Sequence, residues 1–151
     1  MPVPTIFAKS WPIFRGLQDE EIEIITRDCD ERNYKAGEVI LKEGALPVEL
    51  FVVLEGECEV RSHFRGQEIP IAKIGPTEVF GEVGFVDEFP RSANVIAIKP
   101  TRVLILKKPD FQKIINANPA LGVKLYRNLA YILARRIRET DNKVKQLFIP
   151  L

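Results

Sequence analysis

The spacing of hydrophobic and polar positions changes twice along this chain. From residue 1 to about 28, apolar and polar positions mix as they do in short helices. Gln18-Asp19-Glu20-Glu21 places acidic groups in a first helical turn, where the backbone dipole favours them. Ile22 and Ile25 follow on one face with Ile24 beside them, and Ile6, Trp11, Phe14 and Leu17 form an apolar lead-in expected to pack on the rest. From about 30 to 107 the pattern shortens. Runs rich in β-branched and aromatic residues at 39–41, 50–54, 57–60, 69–74, 95–98 and 102–106 alternate with Gly37, Gly44, Gly56, Gly66, Gly75, Gly81 and Gly84. Many short strands separated by turn residues predict an all-β sandwich or barrel. Leu54-Glu55-Gly56-Glu57 has the composition of a tight turn joining two strands that pair with each other.

From about 109 to 147 the period lengthens again. Pro109-Asp110 opens a short predicted helix over 111–116, with Phe111, Ile114 and Ile115 on one face. Asn118-Pro119 restarts a helix, Asn as cap and Pro at the first helical position. Beyond it Tyr126, Leu133, Thr140 and Leu147 recur every seven residues, with Ala130, Ile137 and Val144 four after the first three. Those are the two core positions of a coiled-coil seam. The expectation is a dimer seam; the competing reading packs the same stripe back onto the β-rich part. The helix also carries Lys124, Arg127, Arg135, Arg136, Arg138, Lys143 and Lys145 against Glu139 and Asp141, which reads as a solvated face. Exposed aromatics do not interleave with these cations, and no reading helix follows, so nucleic-acid binding by this chain alone is not expected.

Composition narrows the functional classes. With 151 residues, 46% hydrophobic and 28% charged, the chain has the size and apolar content of a single domain with one core. A net charge of +1 supplies no global field toward membrane or nucleic acid. No apolar run approaches a spanning helix, and Met-Pro-Val-Pro-Thr lacks the features of a signal peptide. Cys29 and Cys58 read as two free thiols, so a cytoplasmic location is expected. A single histidine, His63, sits in the polar stretch Arg61-Ser62-His63-Phe64-Arg65 and reads as a solvated hairpin residue. One histidine does not make a metal-dependent enzyme site, and no P-loop, zinc or nucleophile-elbow pattern occurs. No metal, no cofactor and no catalytic residues are expected.

The segment 80–95 carries the remaining chemistry: Phe80-Gly81-Glu82-Val83-Gly84-Phe85, then Val86-Asp87-Glu88-Phe89-Pro90, then Arg91-Ser92-Ala93-Asn94-Val95. Glycines let backbone N–H groups approach an anion. Arg91 supplies a planar fork suited to phosphate oxygens, and Ser92 and Ala93 add small donors. Ionised Glu82 only accepts hydrogen bonds, so it suits a hydroxyl and repels a phosphate. An anion cradle and an acid within ten residues suggest a ligand with both phosphate and sugar hydroxyl. The competing reading makes Arg91 a structural arginine satisfied by Glu82, Asp87 or Glu88, and Glu82 a turn residue.

This segment resembles the phosphate-binding cassette of cyclic nucleotide-binding domains, the family of the catabolite activator protein, kinase regulatory subunits and gated channels. The family pattern is apolar-Gly-Glu-any-small-apolar, a spacer, then Arg-Ser/Thr-Ala-any-apolar; Phe85 departs from it only in size. Ala36-Gly37-Glu38-Val39-Ile40 with Glu43-Gly44, and Val52-Val53-Leu54-Glu55-Gly56-Glu57, resemble the family's two earlier turns, so the likeness covers roughly 12 to 140. The resemblance implies a mainly β fold, a jelly-roll β-roll with an N-terminal helix and C-terminal helices, and a ligand-binding set of Phe80, Gly81, Glu82, Val83, Gly84, Arg91, Ser92 and Ala93. It implies that Arg91 pairs with the cyclic phosphate. Glu82 would accept from the ribose 2′-hydroxyl with the Gly81 backbone nearby, and Ser92 and Ala93 would donate to the phosphate. Val83, Gly84 and Phe85 would begin a short helix. Val39 or Val52 would line the base, and Tyr126, Leu129 or Leu133 would close over it from the C-terminal helix. The ligand implied is cAMP, with cGMP the lesser expectation. The function implied is a sensor that couples ligand binding to movement of the C-terminal helix, acting as a homodimer or on an effector protein. The alternatives are a nucleotide-free scaffold of the same fold or a truncated transcription regulator. Met1 and the long final helix are read as a stand-alone bacterial-type protein.

Overall fold

The computed structural model describes residues 4–46 and 49–149. Helix α1 (Thr5–Ala8), a 3-10 turn at Pro12–Phe14 and helix α2 (Asp19–Thr26) precede eight strands: β1 (Asp30–Tyr34), β2 (Val39–Leu41), β3 (Glu49–Glu55), β4 (Cys58–Phe64), β5 (Gln67–Ile74), β6 (Val79–Phe80), β7 (Asn94–Ala97) and β8 (Thr101–Lys107). Helix α3 (Glu82–Asp87) interrupts the strands between β6 and β7, and α4 (Lys108–Ala117) and α5 (Pro119–Leu147) close the chain. The strands form two four-stranded sheets, in the orders β1-β8-β3-β6 and β2-β7-β4-β5, with every pairing antiparallel.

Two apolar cores explain why 50–54 is hydrophobic without alternation. Phe51 and Val53 point between the sheets, against Cys58, Phe80, Val95, Val103 and Ile105. Leu50 and Val52 point the other way, to a second core shared with Leu104, Leu106, Phe85 and the helices. A strand buried on both faces reads as a continuous apolar run. From the helices this second core takes Trp11, Phe14, Leu17, Ile22, Ile25, Phe111, Leu121, Leu125, Leu129 and Ile132. Asn128 is buried beside them and donates from Nδ2 to the Ile13 and Arg15 carbonyls, at 2.8 and 3.0 Å, fixing the lead-in to α5. Both cysteines are free, Cys58 buried between the sheets and Cys29 partly buried against the helical core.

Several expectations change. The turn at 54–57 does not join paired strands: β3 and β4 belong to different sheets, and Gly56 makes the corner between them. Its φ is +98°, and a Cβ there would lie 2.4 Å from the Pro100 carbonyl oxygen, so the corner accepts only glycine. The hairpin forms instead between β4 and β5, where His63 faces Glu68 across the ladder. Ile6 does not pack: it is 79% exposed, while Trp11, Phe14 and Leu17 are buried. Helix α4 starts at Lys108 and includes Pro109 in its first turn, where a missing N–H has no intrahelical partner to lose. Strand β1 (Asp-Glu-Arg-Asn-Tyr) has no apolar alternation; its pairing with β8 alone makes it a strand.

The long helix separates two stripes. Leu121, Leu125, Asn128, Leu129 and Ile132 are buried against the domain. The heptad positions lie elsewhere: Tyr126 is 41% exposed, and Ile137, Val144 and Leu147 are also exposed. Apart from partly buried Leu133, the heptad stripe is therefore not the one packed on the β-sheets.

Candidate functional site

The stretch from β6 through α3 to β7 forms one wall of a cavity of about 370 Å³. Gly81 caps α3 in the left-handed region, at φ +80°, and an added Cβ would sit 3.1 Å from Arg91 Nη1 and 3.2 Å from the Glu49 carbonyl oxygen. Both the turn and the close approach of the arginine therefore require glycine. The far limb is held by a neighbouring loop: Gly44 N–H donates to the Arg91 carbonyl and Arg91 N–H to the Ala45 carbonyl, both at 2.8 Å. Glu43 N–H donates to Asn94 Oδ1 at 2.7 Å. This is what the Glu43-Gly44 motif does in the fold.

Arg91 is 6% exposed and lines the cavity. Its Nη1 donates to the Gly81 carbonyl and its Nη2 to the Glu49 carbonyl, each at 2.6 Å, while Nε is buried with no partner. Among the described residues, no carboxylate lies within ion-pairing distance of it, so Glu82, Asp87 and Glu88 do not satisfy it. Burial pushes the guanidinium below its ordinary pKa, partly opposed by the fields of Glu49 and Glu82. A buried cation held only by neutral carbonyls is stabilised by any anion that reaches it.

Glu82 is 3% exposed and pairs with Arg136 from α5. The same guanidinium donates to the Val79 carbonyl, so one α5 side chain grips both ends of the β6–α3 junction. Arg136 lines the cavity and was not singled out by motif; the signal that marks it is its place four after Ile132 and seven after Leu129, on the packed face of the basic helix.

The cavity takes in Phe80, Gly81, Glu82, Val83, Gly84, Arg91, Ser92 and Ala93 together. It does not take in the residues expected at the base. Val39 is exposed on β2, and Val52 is buried in the core beneath the helices. Leu41, Val60 and Val95 supply the apolar wall instead: the β2–β7 register shifts between Val39 and Leu41, so that Leu41 pairs with Val95, which lines the cavity, and Val39 with Ile96, while Val52 belongs to the other sheet. Leu129 is part of the helical core, Tyr126 stacks edge-on against Phe111, and Leu133 does not reach the cavity. No group of three or more His, Cys, Asp or Glu converges as metal ligands would, and no helix is long and apolar enough to cross a membrane, among the described residues.

Two facing antiparallel sheets, with a short helix and a buried arginine walling a cavity at one edge, define a ligand-binding β-roll domain. The family model described as the cyclic nucleotide-binding domain matches residues 31–118, and the chain belongs to that family. It is 37% identical over 134 residues to the cyclic AMP receptor protein of Thermus thermophilus, covering 88% of this chain and 60% of that protein. It is 29% identical over 139 residues to the cAMP-dependent protein kinase regulatory subunit of Mycosarcoma maydis, covering 89% of this chain and 24% of the subunit. The crystal structure of the Thermus thermophilus catabolite activator protein superposes with a TM-score of 0.77 at 36% identity, over 90% of this chain and 62% of that one. The chain thus spans under two thirds of the length of these relatives. It is a cyclic nucleotide-binding regulatory domain, mainly antiparallel β and jelly-roll-like, with flanking helices.

Proposed function

We propose that the chain is a non-enzymatic cAMP sensor whose nucleotide sits in the cavity beneath Arg91. The observation that carries this reading is the buried guanidinium with an unpartnered Nε and, among the described residues, no carboxylate within ion-pairing distance. In the proposal the cyclic phosphate takes Arg91, with the Ser92 and Ala93 backbone and the Ser92 hydroxyl as further donors. The ribose 2′-hydroxyl donates to Glu82. The base lies on Leu41, Val60 and Val95, an apolar surface suited to stacking. Two of the relatives carry cAMP in their names, which favours cAMP over cGMP.

The signal leaves through α5. Glu82 serves both the ribose and Arg136, so a hydroxyl arriving at Glu82 changes what holds the helix. A ligand shifts this equilibrium only by the difference in its affinity for the two helix positions. The output partner proposed is a second copy, meeting along the exposed stripe of Ile137, Val144 and Leu147.

Calorimetric titration of the purified chain with cAMP and then cGMP tests the reading. Micromolar or tighter binding of cAMP, weaker for cGMP, is expected. No heat from either nucleotide at millimolar concentration leaves the nucleotide-free scaffold as the function of this fold.

A further inference from the structure

We propose that Lys108 is a positioning residue for the nucleotide site, holding the cassette helix α3 in place from the start of α4. This rests on the nucleotide reading of the cavity. A six-residue helix is too short to be stable by itself, so something outside α3 has to fix it.

At its C-terminal end the ladder stops early. Glu88 N–H reaches the Gly84 carbonyl at 2.8 Å, but Phe89 N–H, which would continue onto Phe85, turns to Asp87 Oδ1 at 2.9 Å. The Phe85 carbonyl is thereby left as a helix-end acceptor, and Lys108 Nζ donates to it. The same ammonium lies 4.6 Å from the Phe85 ring centroid and 5.9 Å from that of Phe111. Those two rings, both buried, meet edge to face at 5.1 Å. Among the described residues no carboxylate pairs with Lys108.

The sign of the charge identifies which helix Lys108 serves. Lys108 is the first residue of α4, and a cation at a helix N-terminus opposes that helix's dipole. At the C-terminus of α3 the same cation is favourable. Its carbonyl contact and its nearer ring both belong to Phe85, so the ammonium stabilises the cassette at some expense to its own helix. Phe85 lies three residues after Glu82, so loosening this end frees the turn that presents Gly81, Glu82 and the Arg91 contact. Ordering α3 would then fall to the nucleotide and lower its affinity.

Lys108→Met keeps the apolar stem and removes donor and charge; Lys108→Arg keeps both. In the intact chain, Lys108→Met should bind cAMP about five- to thirty-fold more weakly, at about 1.4 kcal/mol per tenfold. Its ligand-free form should exchange the Phe85 and Glu88 amides faster, with the Val53 and Val103 amides unchanged. Lys108→Arg should restore both. Lys108→Gln, which keeps a donor without the charge, gives an intermediate result and replaces the Met variant if that one does not fold. Unchanged cassette exchange in the neutral variants, or cAMP affinity within twofold of the parent, overturns the proposal. If the parent chain binds neither cAMP nor cGMP, the nucleotide reading itself falls, and the exchange comparison still decides whether Lys108 holds α3.

Discussion

Replacing Arg91 by alanine tests the site most directly, because two consequences of the same change can be told apart. Arg91 is 6% exposed and makes two hydrogen bonds to carbonyls. Its loss takes one donor from each of the Gly81 and Glu49 carbonyls; Gly81 still accepts from the Phe85 N–H, so the cost is about 1–3 kcal/mol if the Glu49 carbonyl is left dry and unpaired. It also removes a desolvated cation, which offsets part of that cost. The ligand-free protein should therefore melt only somewhat lower. Binding should change far more, since removing one partner of a buried charge pair costs about 2–5 kcal/mol, or roughly thirty-fold and upward. At cAMP equal to 100 times the parent dissociation constant, binding stabilises the parent by about 2.7 kcal/mol. For a domain of 151 residues that is a rise of about 5–11 °C in Tm, at about 2–4 °C per kcal/mol. The same concentration is only about three times the dissociation constant of a variant weakened thirty-fold. Its stabilisation is then about 0.9 kcal/mol, a rise of about 2–4 °C. The assay is a pair of melting curves with and without cAMP for each protein. A ligand-induced shift as large in Arg91→Ala as in the parent refutes the phosphate role, whatever happens to the basal Tm.

Three further outcomes follow from the packing and charges. Gly56→Ala should lower the urea midpoint by the equivalent of about 2 kcal/mol or more, because its Cβ meets the Pro100 carbonyl and its φ stays positive; an unchanged midpoint sinks the corner account. Glu21 accepts from the Gln18 backbone and pairs with Lys124, in that order of effect, which holds its carboxyl below the ordinary value of 4.5. A depressed folded-state value stabilises above the unfolded one and is lost as pH falls, so Glu21→Ala should cost about 1 kcal/mol at pH 7 and progressively less below the ordinary value; a cost independent of pH from 7 to 3 argues against it. Ile137→Glu, on the exposed stripe, should leave a monomer in sedimentation while cAMP still binds; a parent chain already monomeric at high concentration removes the seam.

The strands at 50–54 and 102–106 were legible because burial on both faces leaves an unbroken apolar run. The cap at Asn118 was legible because its side chain answers a need three residues away, accepting from Leu121 N–H. The cassette was legible for a similar reason: backbone curvature, arginine and acid all fall within one short segment, so residue type and spacing alone carry the signal. These are local constraints, and a one-dimensional pattern records them. Tertiary structure decided the rest. Polar β1 is a strand only because β8 lies beside it. Gly56 is a corner and not a hairpin because Thr101 and the Pro100 carbonyl occupy the space next to it. Leu41 and Val60, not Val39 and Val52, face the cavity because the β2–β7 register shifts between Val39 and Leu41 and because β3, which carries Val52, belongs to the other sheet. Arg136 reaches Glu82 across 54 residues of sequence. Helical spacing puts Arg136, four after Ile132 and seven after Leu129, on the packed face of α5 and leaves Arg135 and Arg138 exposed, but which acid it meets is set only by the fold. The chain alone determined which segment brings the glycines, the acid and the arginine of the cavity wall together; folding determined which distant side chains would face them.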